Sequence, residues 1–346
     1  MQVPSRPARR RRGATMQDVA DLSKVSKQTV SAVINGKPGI TEETRVRVLA
    51  AIEQINYRMD LTARSLRTGR THTVALLVTD ISSPVLGTMA SAAEERLYAQ
   101  NYNLVLYNTH DDLERERFYV DSILQRSVDG VLFVSAWDES TALDKLQAAG
   151  IPIVVVDRVP QNYGGPAVVL DNVLAGRLAA SHLLALGHRR LAHIGGPAEV
   201  HIARERLNGF QAVLAEHGID CLVIERADDW HVESGCAAMQ RLLARGDGFT
   251  AVLCAGDLLA IGAMHALRVA GCAIPADMSV MGIDDIELAA YLWPPLTTIS
   301  QSIGQMAVLG VDMLLEQMAG TLPEPARVQI TPELVVREST APYRRG

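Results

Sequence analysis

Apolar residues recur at two different periods along this chain, and the change from one to the other divides it. From Thr15 to Gly36, TMQDVADLSKVSKQTVSAVING, they fall at helical spacing in two short segments joined by a tight turn. Thr15 followed by Asp18 fits a capping box that opens the first helix, with Val19, Ala20 and Leu22 expected to face inward. Lys24 and Val25 make the turn. Ser26 then caps a second helix whose Val30 and Val33 share an apolar face, while Lys27, Gln28 and Ser31 point elsewhere. A third helix is predicted from Ile40, with Thr41 as its cap, Glu42 and Glu43 in its first turn, and Val46, Leu49 and Ile52 as its apolar stripe. Three such helices close a small core over about residues 15–58.

Beyond His72 short β-rich runs alternate with helical stretches. TVALLVTD precedes a helix to about Gln100, NLVLYNTH precedes a helix from Leu113 to Arg126, and VDGVLFVSA is followed by another helix and IPIVVVD. A second series holds RLAHIGG, CLVIER, AVLCAG and MSVMGIDD, separated by amphipathic stretches such as Ala203 to His217. Strands alternating with helices predict parallel sheets covered on both faces, and two series predict two lobes. A ligand then belongs in the cleft outside the strands' carboxyl ends.

Charge sharpens this division. Residues 1–70 hold 14 Lys+Arg against 6 Asp+Glu, a net of +8, so the remainder, 19 against 33, carries −14 of the total of −6. The basic part suits nucleic acid and the acidic part is kept away from it. The first fourteen residues, MQVPSRPARRRRGA, are Pro- and Arg-rich without periodicity and are expected to form a disordered basic arm, either touching phosphates and the minor groove or serving as a solvated tail. No long apolar run follows the arginines, so neither a signal peptide nor a membrane span is expected, and the chain is placed in the cytoplasm. Cys221, Cys236, Cys254 and Cys272 are widely spaced without a CxxC pair, which points to a reducing compartment rather than to disulfides or zinc.

Two short helices with a polar outer face are what a protein lays in the DNA major groove. Lys27 can donate to guanine or to a phosphate, and the Gln28 amide can both donate to and accept from adenine. The hydroxyls of Thr29 and Ser31, with the amides at the helix start, suit phosphate oxygens. After Tyr57 comes DLTARSLRTGRT, where Asp60 can cap a single short helix and Arg64, Arg67 and Arg70 crowd together.

On MQDVA, VSKQTVSAVING, ITEETRVRVLAAIEQINY and ARSLRTGRT, the segment from Thr15 to Thr71 resembles the headpiece and hinge of the lactose-repressor (LacI/GalR) family of bacterial transcription regulators. The resemblance implies that Thr15, Ser26, Lys27, Gln28, Thr29, Ser31 and Asn35 face DNA. It implies further that residues 59–71 form a hinge helix and linker, with Ala63 as the small helix-contact residue, Arg64 beside it, and Leu66 as the wedge pushed into the central base step. Such a wedge costs a few kcal/mol of unstacking and gains contacts by bending the duplex. Three positions depart from the family pattern: Ala32 replaces a common base-reading Arg or His, and Met59 with Asp60 replaces a common Pro-Asn pair.

The likeness continues through GHRRLAHIGG, MGIDDIELAAYLWPPLTTISQ and PELVVREST, and implies a periplasmic-binding-protein-like (type I) core of two lobes after the headpiece. The expected divisions are lobe 1 at about 72–158 with part of 300–322, lobe 2 at about 159–298 with part of 323–340, and a tail at 341–346. Candidate cleft residues sit at strand ends: Asp80, Ser82 and Ser83 after the first strand, Asp157 and Arg158 after the fourth, then Arg206, Trp230, Asp257 and Asp284 in the second series. Of these, Ser82, Asp157, Arg206, Trp230, Asp257 and Asp284 form the expected effector set; positions matching Arg206, Trp230 and Asp284 touch the effector in the family. Arg206 and Asp284 can hold adjacent hydroxyls while the Trp230 face packs on a sugar ring, although an aromatic face with an Asp and an Arg suits a purine base as well. Gly256 stands where sugar-responsive members often carry an asparagine.

Catalytic signals are poor. There is no GxxxxGK[ST], GxSxG or HExxH, and the His231–Glu233 HxE has no Cys pair to complete a zinc site. Neither a catalytic residue, a metal nor a cofactor is expected. The reading is a DNA-binding regulator, expected to be a repressor, acting as a homodimer on a near-palindromic operator without a membrane partner and responding to a sugar or sugar derivative. The alternatives are a purine- or co-regulator-responsive member of the same family and a sugar-binding receptor, which would have no use for residues 15–70. No leucine-heptad tail follows PELVVREST, so a dimer is expected rather than a tetramer, with Val85 to Leu97 as a candidate pairing helix.

Overall fold

The computed structural model describes residues 14–34, 36–57, 69–134, 141–160, 163–220, 222–323 and 326–343. The basic arm through Gly13, Asn35, Cys221 and the hinge positions Ala63, Arg64 and Leu66 lie outside the described residues. The chain divides into two units, one ending at Thr71 and one starting at His72.

The first unit is built on α1 (Met16–Ser23), α2 (Lys27–Ile34) and α3 (Glu42–Gln54). Thr15 and Asp18 form the expected reciprocal capping box. Lys24 ends α1 in the left-handed conformation (φ 55°), which turns the chain. Ser26 then accepts the Thr29 N–H at 3.1 Å and starts α2. Val19, Ala20, Val30, Val33, Val48 and Ala51 form the core.

Two inward assignments are corrected here. Leu22 is exposed and Ser23 takes the buried place, its hydroxyl donating to the Val19 carbonyl at 2.6 Å. On α3, Val46 and Leu49 are 57% and 49% exposed, and the buried stripe runs through Val48 and Ala51. Residues 46, 49 and 52 drift across the helix surface, whereas 48, 51, 52 and 55 follow the i, i+3, i+4, i+7 stripe that faces a neighbour.

The second unit holds two parallel sheets. In lobe 1, β1 (Thr73–Val78), β2 (Asn103–Asn108), β3 (Gly130–Phe133), β4 (Ile153–Val156), β5 (Ala167–Leu170) and β11 (Arg327–Ile330) stand in the order β11-β5-β4-β3-β1-β2. Near-continuous apolar strands such as TVALLV and IVVV are what a sheet buried on both faces requires. The helices α4 (Pro84–Tyr98), α5 (Leu113–Arg126) and α6 (Ala142–Ala148) connect these strands.

In lobe 2, β6 (Leu191–Gly195), β7 (Leu222–Arg226), β8 (Ala251–Cys254) and β9 (Ser279–Met281) stand in the order β7-β6-β8-β9. The helices α7 (Asn172–Ala185), α8 (His201–Glu216), α9 (Val232–Arg245) and α10 (Asp257–Val269) cover it, and β10 (Thr298–Ser300) pairs antiparallel with β12 (Glu333–Val335). The chain returns to lobe 1 through α11 (Ile303–Ala319), which packs against α4, with Arg96 bonded to Asp312 at 2.7 Å.

The lobe boundary differs from the expected one at 158/159. AVVL at 167–170 pairs with β4, and 327–330 completes the same sheet at its edge, so both belong to lobe 1. A four-residue apolar run carries no address; its partner is chosen by register across the sheet. The chain crosses between the lobes three times, after β5, between β10 and α11, and between β11 and β12. The described part of the expected tail is tied down, with the Tyr343 N–H donating to the Leu186 carbonyl at 2.8 Å.

Candidate functional site: an inter-lobe cavity and a helix-turn-helix face

On the first unit, Lys27 and Gln28 are exposed at the start of α2, away from the face that carries Val30 and Val33. The hydroxyls of Ser26 and Thr29 lie 3.0 Å apart within the cap, and Thr15 is engaged with Asp18. These three therefore fix the helix starts, and what they offer an anion is the helix N-terminus itself. Ser31 is half-buried one turn along.

In the second unit a cavity of about 470 Å³, counting its open mouth, lies between the lobes. Lobe 1 contributes Ser83, Val85 and Leu86 from the start of α4, and Asp157 and Arg158 from the end of β4. Lobe 2 contributes Arg206 of α8, Trp230 of the β7–α9 loop, Gly256 before α10, and Asp284 after β9, with Gln301 on a crossover. Nearly every polar member follows a strand's carboxyl end, as parallel topology demands.

Arg206 is the largest fully buried side chain. Its Nε donates to Asn172 Oδ1 at 2.9 Å and its Nη1 lies 3.4 Å from Asp284 Oδ1. Asp284 also accepts from the Gln301 amide and, at 3.3 Å, from the Asp257 N–H. Burial raises the Asp284 carboxyl above its ordinary value, against the pull of Arg206. The indole of Trp230 has the Arg158 and Arg206 guanidinium carbons 5.6 and 5.9 Å from its ring centre. Glycine is required beneath it, because a Cβ on Gly196 would stand 2.5 Å from the ring.

The structure brings Asp157, Arg206, Trp230 and Asp284 to one cavity and leaves Ser82 and Asp257 out of it. Ser82 turns back onto Asp80, its hydroxyl donating at 2.6 Å, and the adjacent Ser83 lines the wall instead. Asp257 is fully buried: it accepts from the Thr298 hydroxyl at 2.6 Å and the Ile286 N–H at 3.0 Å, and so ties α10 to the strands behind. Burial and then the nearby Asp284 charge raise its carboxyl above the ordinary range. Position after a strand could not separate these roles, since successive residues point in opposite directions.

Of the polar lining, the expected effector set lacked Ser83, Arg158 and Gln301, the first two of which stood among the wider cleft candidates. Arg158 and Gln301 are legible as polar residues directly after strand-like runs, IPIVVVD and TTIS. Four buried polar atoms of this lining have no hydrogen-bond or ion-pair partner: Asp157 Oδ1, Arg158 Nε, Trp230 Nε1 and Gln301 Oε1, whereas Arg158 Nη1 lies 3.5 Å from Asp111 Oδ1. Buried polar atoms left unpaired are costly, and a set of them around one cavity marks where a polar ligand completes the pairing. Among the described residues no cluster of His, Cys, Asp and Glu could hold a metal ion, and no helix is long and apolar enough to cross a membrane.

A helix-turn-helix unit joined to a two-lobed body with a polar-lined cavity between its lobes defines a ligand-responsive DNA-binding protein. Residues 15–60 match the model of bacterial regulatory proteins, lacI family, and residues 180–340 match a periplasmic binding protein-like domain. The chain is 34% identical to the ribose operon repressor of Escherichia coli (strain K12) over 94% of its own length and 99% of that protein. It is 35% identical to the HTH-type transcriptional repressor PurR of Erwinia tasmaniensis, over 96% and 98% of the two chains. Among solved structures, the Lac repressor dimer bound to operator and the anti-inducer ONPF matches with a TM-score of 0.87 at 29% identity, covering 95% of this chain and all of that one. A LacI family transcriptional regulator from Enterococcus faecium with bound ribose matches with a TM-score of 0.72 at 30% identity, over 79% of this chain and 100% of that one. The chain belongs to the lacI family of bacterial regulatory proteins, and is a DNA-binding transcriptional regulator.

Proposed function

We propose that this regulator is a repressor, acting in the cytoplasm as a homodimer, whose hold on a near-palindromic operator is set by a small polyhydroxylated effector, a monosaccharide or a close derivative, in the inter-lobe cavity. The observation that carries the effector class is the mixed set of unpaired atoms: two donors, Arg158 Nε and Trp230 Nε1, and two acceptors, Asp157 Oδ1 and Gln301 Oε1. Each hydroxyl of a sugar both donates and accepts, so a ring of hydroxyls answers such a set. The Trp230 face supplies the apolar surface for the ring's CH groups. The ribose-bound relative gives the first sugar to try.

Gln28 and Lys27 read bases, the starts of α1 and α2 hold phosphates, and the hinge with Ala63, Arg64 and Leu66 bends the centre of the operator. Asn35, next in sequence after Ile34, adds a contact to the operator. Effector binding changes the angle between lobes and so the spacing of the paired hinges. The protein binds its ligand and releases it unchanged.

A thermal-shift screen against D-ribose, other pentoses and hexoses, sugar acids, sugar phosphates, nucleosides and purine bases tests the class. A ligand at about 100 times its dissociation constant adds roughly 2.7 kcal/mol to the folded state. A hit among neutral sugars is expected; a hit confined to purine bases overturns the assignment. With the hit in hand, Trp230→Ala and Asp284→Ala are expected to abolish the response of operator binding to ligand while binding to the operator persists. A normal response in both would mean that the cavity is not the effector site.

A further inference from the structure

Outside the cavity, at the cleft's rim, a second set of charged groups joins the lobes. His231, the N-cap residue of α9 in lobe 2, places its Nε2 3.8 Å from Asp80 Oδ2 of lobe 1. The residue before it, Trp230, lies under Arg158 of lobe 1, and Arg158 is itself 3.5 Å from Asp111. Two consecutive residues of the β7–α9 loop therefore hold both contacts across the seam.

Asp80 and Asp111 of lobe 1 both interact electrostatically with His231, and further charged groups stand along the seam. Asp80 comes from the end of β1, His110 and Asp111 from the β2–α5 loop, Arg158 from the end of β4, and Asp229 from its own loop, where it accepts the His231 N–H at 2.9 Å. Glu233 follows in the first turn of α9. Burial raises the Asp111 carboxyl above its ordinary value against the pull of Arg158, and Asp80, His231 and Asp229 act on it as well. Burial works to raise the Asp80 carboxyl, but hydrogen bonds from Ser82 and the nearby His231 and His110 hold it below its ordinary value. It is therefore ionised throughout the range in which histidine titrates.

With His231 neutral, the Asp229 carboxylate of lobe 2 acts against Asp111 of lobe 1, beside Asp80, and Arg158 offsets part of that negative charge. A proton on His231 converts that repulsion into attraction across the seam. We propose that His231 and Asp80 form a protonation-dependent latch that holds the two lobes closed over the cavity, more firmly as pH falls from 8 to 5.5. The latch depends on the effector reading only for its consequence, that a ligand in the cavity leaves more slowly at the lower pH.

Trp230 reports closure without any ligand, because opening lifts Arg158 from its ring. In the full chain with Trp137→Phe and Trp293→Phe, Trp230 is the remaining tryptophan, and acrylamide, an uncharged quencher, measures its exposure. The closed-to-open ratio is expected to rise about two- to fivefold between pH 8 and pH 5.5, the range of a partly exposed ion pair. Quenching falls accordingly in this parent. It becomes independent of pH in His231→Gln and in Asp80→Asn, while His110→Gln, whose partners lie within lobe 1, keeps the dependence. A parent insensitive to pH, or a dependence that survives in both His231→Gln and Asp80→Asn, overturns the latch. Titration with D-ribose at the two pH values is a separate arm: failure of that sugar to bind speaks against the effector class and leaves the quenching result standing.

Discussion

At the scale of single residues, what matters is which side of a strand end a side chain leaves. Asp257 and Asp284 both follow apolar strands in lobe 2, yet one is a buried tie to Thr298 and Ile286 and the other faces the cavity beside Arg206. Sequence position marked Asp157, Arg206, Trp230 and Asp284 because parallel strands deliver their carboxyl ends to one edge. It passed over Gln301, and named Arg158 as a cleft candidate without placing it in the effector set, because what distinguishes both is a buried polar atom without a hydrogen bond, which only packing reveals. His193 shows the same dependence. On β6 it is fully buried and stacked on Phe210, with ring centres 5.9 Å apart, and burial drives its pKa down to about 4. The folded state thus favours the neutral ring, a stabilisation that is whole above pH 6.5 and is lost as pH falls toward 4. Linkage sets its size at about 3 kcal/mol. Chemical denaturation at pH 7 and pH 4.5 should show a smaller loss in His193→Gln than in the parent; equal losses would mean that other groups govern the acid limb. On the DNA face, Gln28→Ala is expected to relax preference at one base pair in each half-site, read by selection from a randomised operator. An unchanged selected profile would remove Gln28 from the readers.

At the scale of elements, the helix pairs of lobe 2 are set by glycine. A Cβ on Gly209 of α8 would stand 2.0 Å from the Val173 carbonyl of α7, and one on Gly176 of α7 would stand 2.0 Å from the Arg206 carbonyl. The two backbones touch at these points, so the contact that joins α7 to α8 also sets the register of Arg206. Gly235 and Gly262 join α9 to α10 in the same way. Adding one methyl at Gly209 must part the helices, at about 3 kcal/mol, or on the order of 10 °C in melting temperature for a body of this size. Gly304 in α11 is the contrast, with only the Ala92 Cβ at 4.0 Å, and Gly304→Ala should leave the melting temperature unchanged or raise it slightly. Calorimetry of the two variants decides; similar small effects would mean that α7 and α8 accommodate the methyl. These glycines are visible in the sequence as interruptions of helical stretches, but the wrong stripe on α3 shows the limit of such reading. Val46 and Val48 are equally apolar, and the neighbours α1 and α2 chose between them.

At the scale of the whole molecule, function requires that a basic headpiece and an acidic body act as one. The net of +8 on residues 1–70 against −14 on the rest sends DNA to one unit, and makes binding to any duplex fall steeply with salt. Specific binding adds base contacts and bending. Leu66→Ala should therefore weaken operator binding by at least about tenfold, with binding to random duplex of the same length changed little, since a wedge acts only where the centre of the site is bent. Equal losses on both duplexes, measured by gel shift at fixed salt, would reduce Leu66 to an ordinary linker residue. The sequence by itself determined the helix-turn-helix, the capping residues Thr15, Ser26 and Thr41, the alternation of strands and helices, and the family. These depend on periodicity, on single residues with one local use, and on charge, all of which are carried by neighbours along the chain. The tertiary structure alone decided that β5 and β11 belong to lobe 1, that Val48 rather than Val46 is core, that Asp257 is a tie rather than a ligand residue, and that His231 meets Asp80 across the seam. Each of these is a choice among partners distant in the chain, and such choices are made by packing and register, to which local pattern is blind.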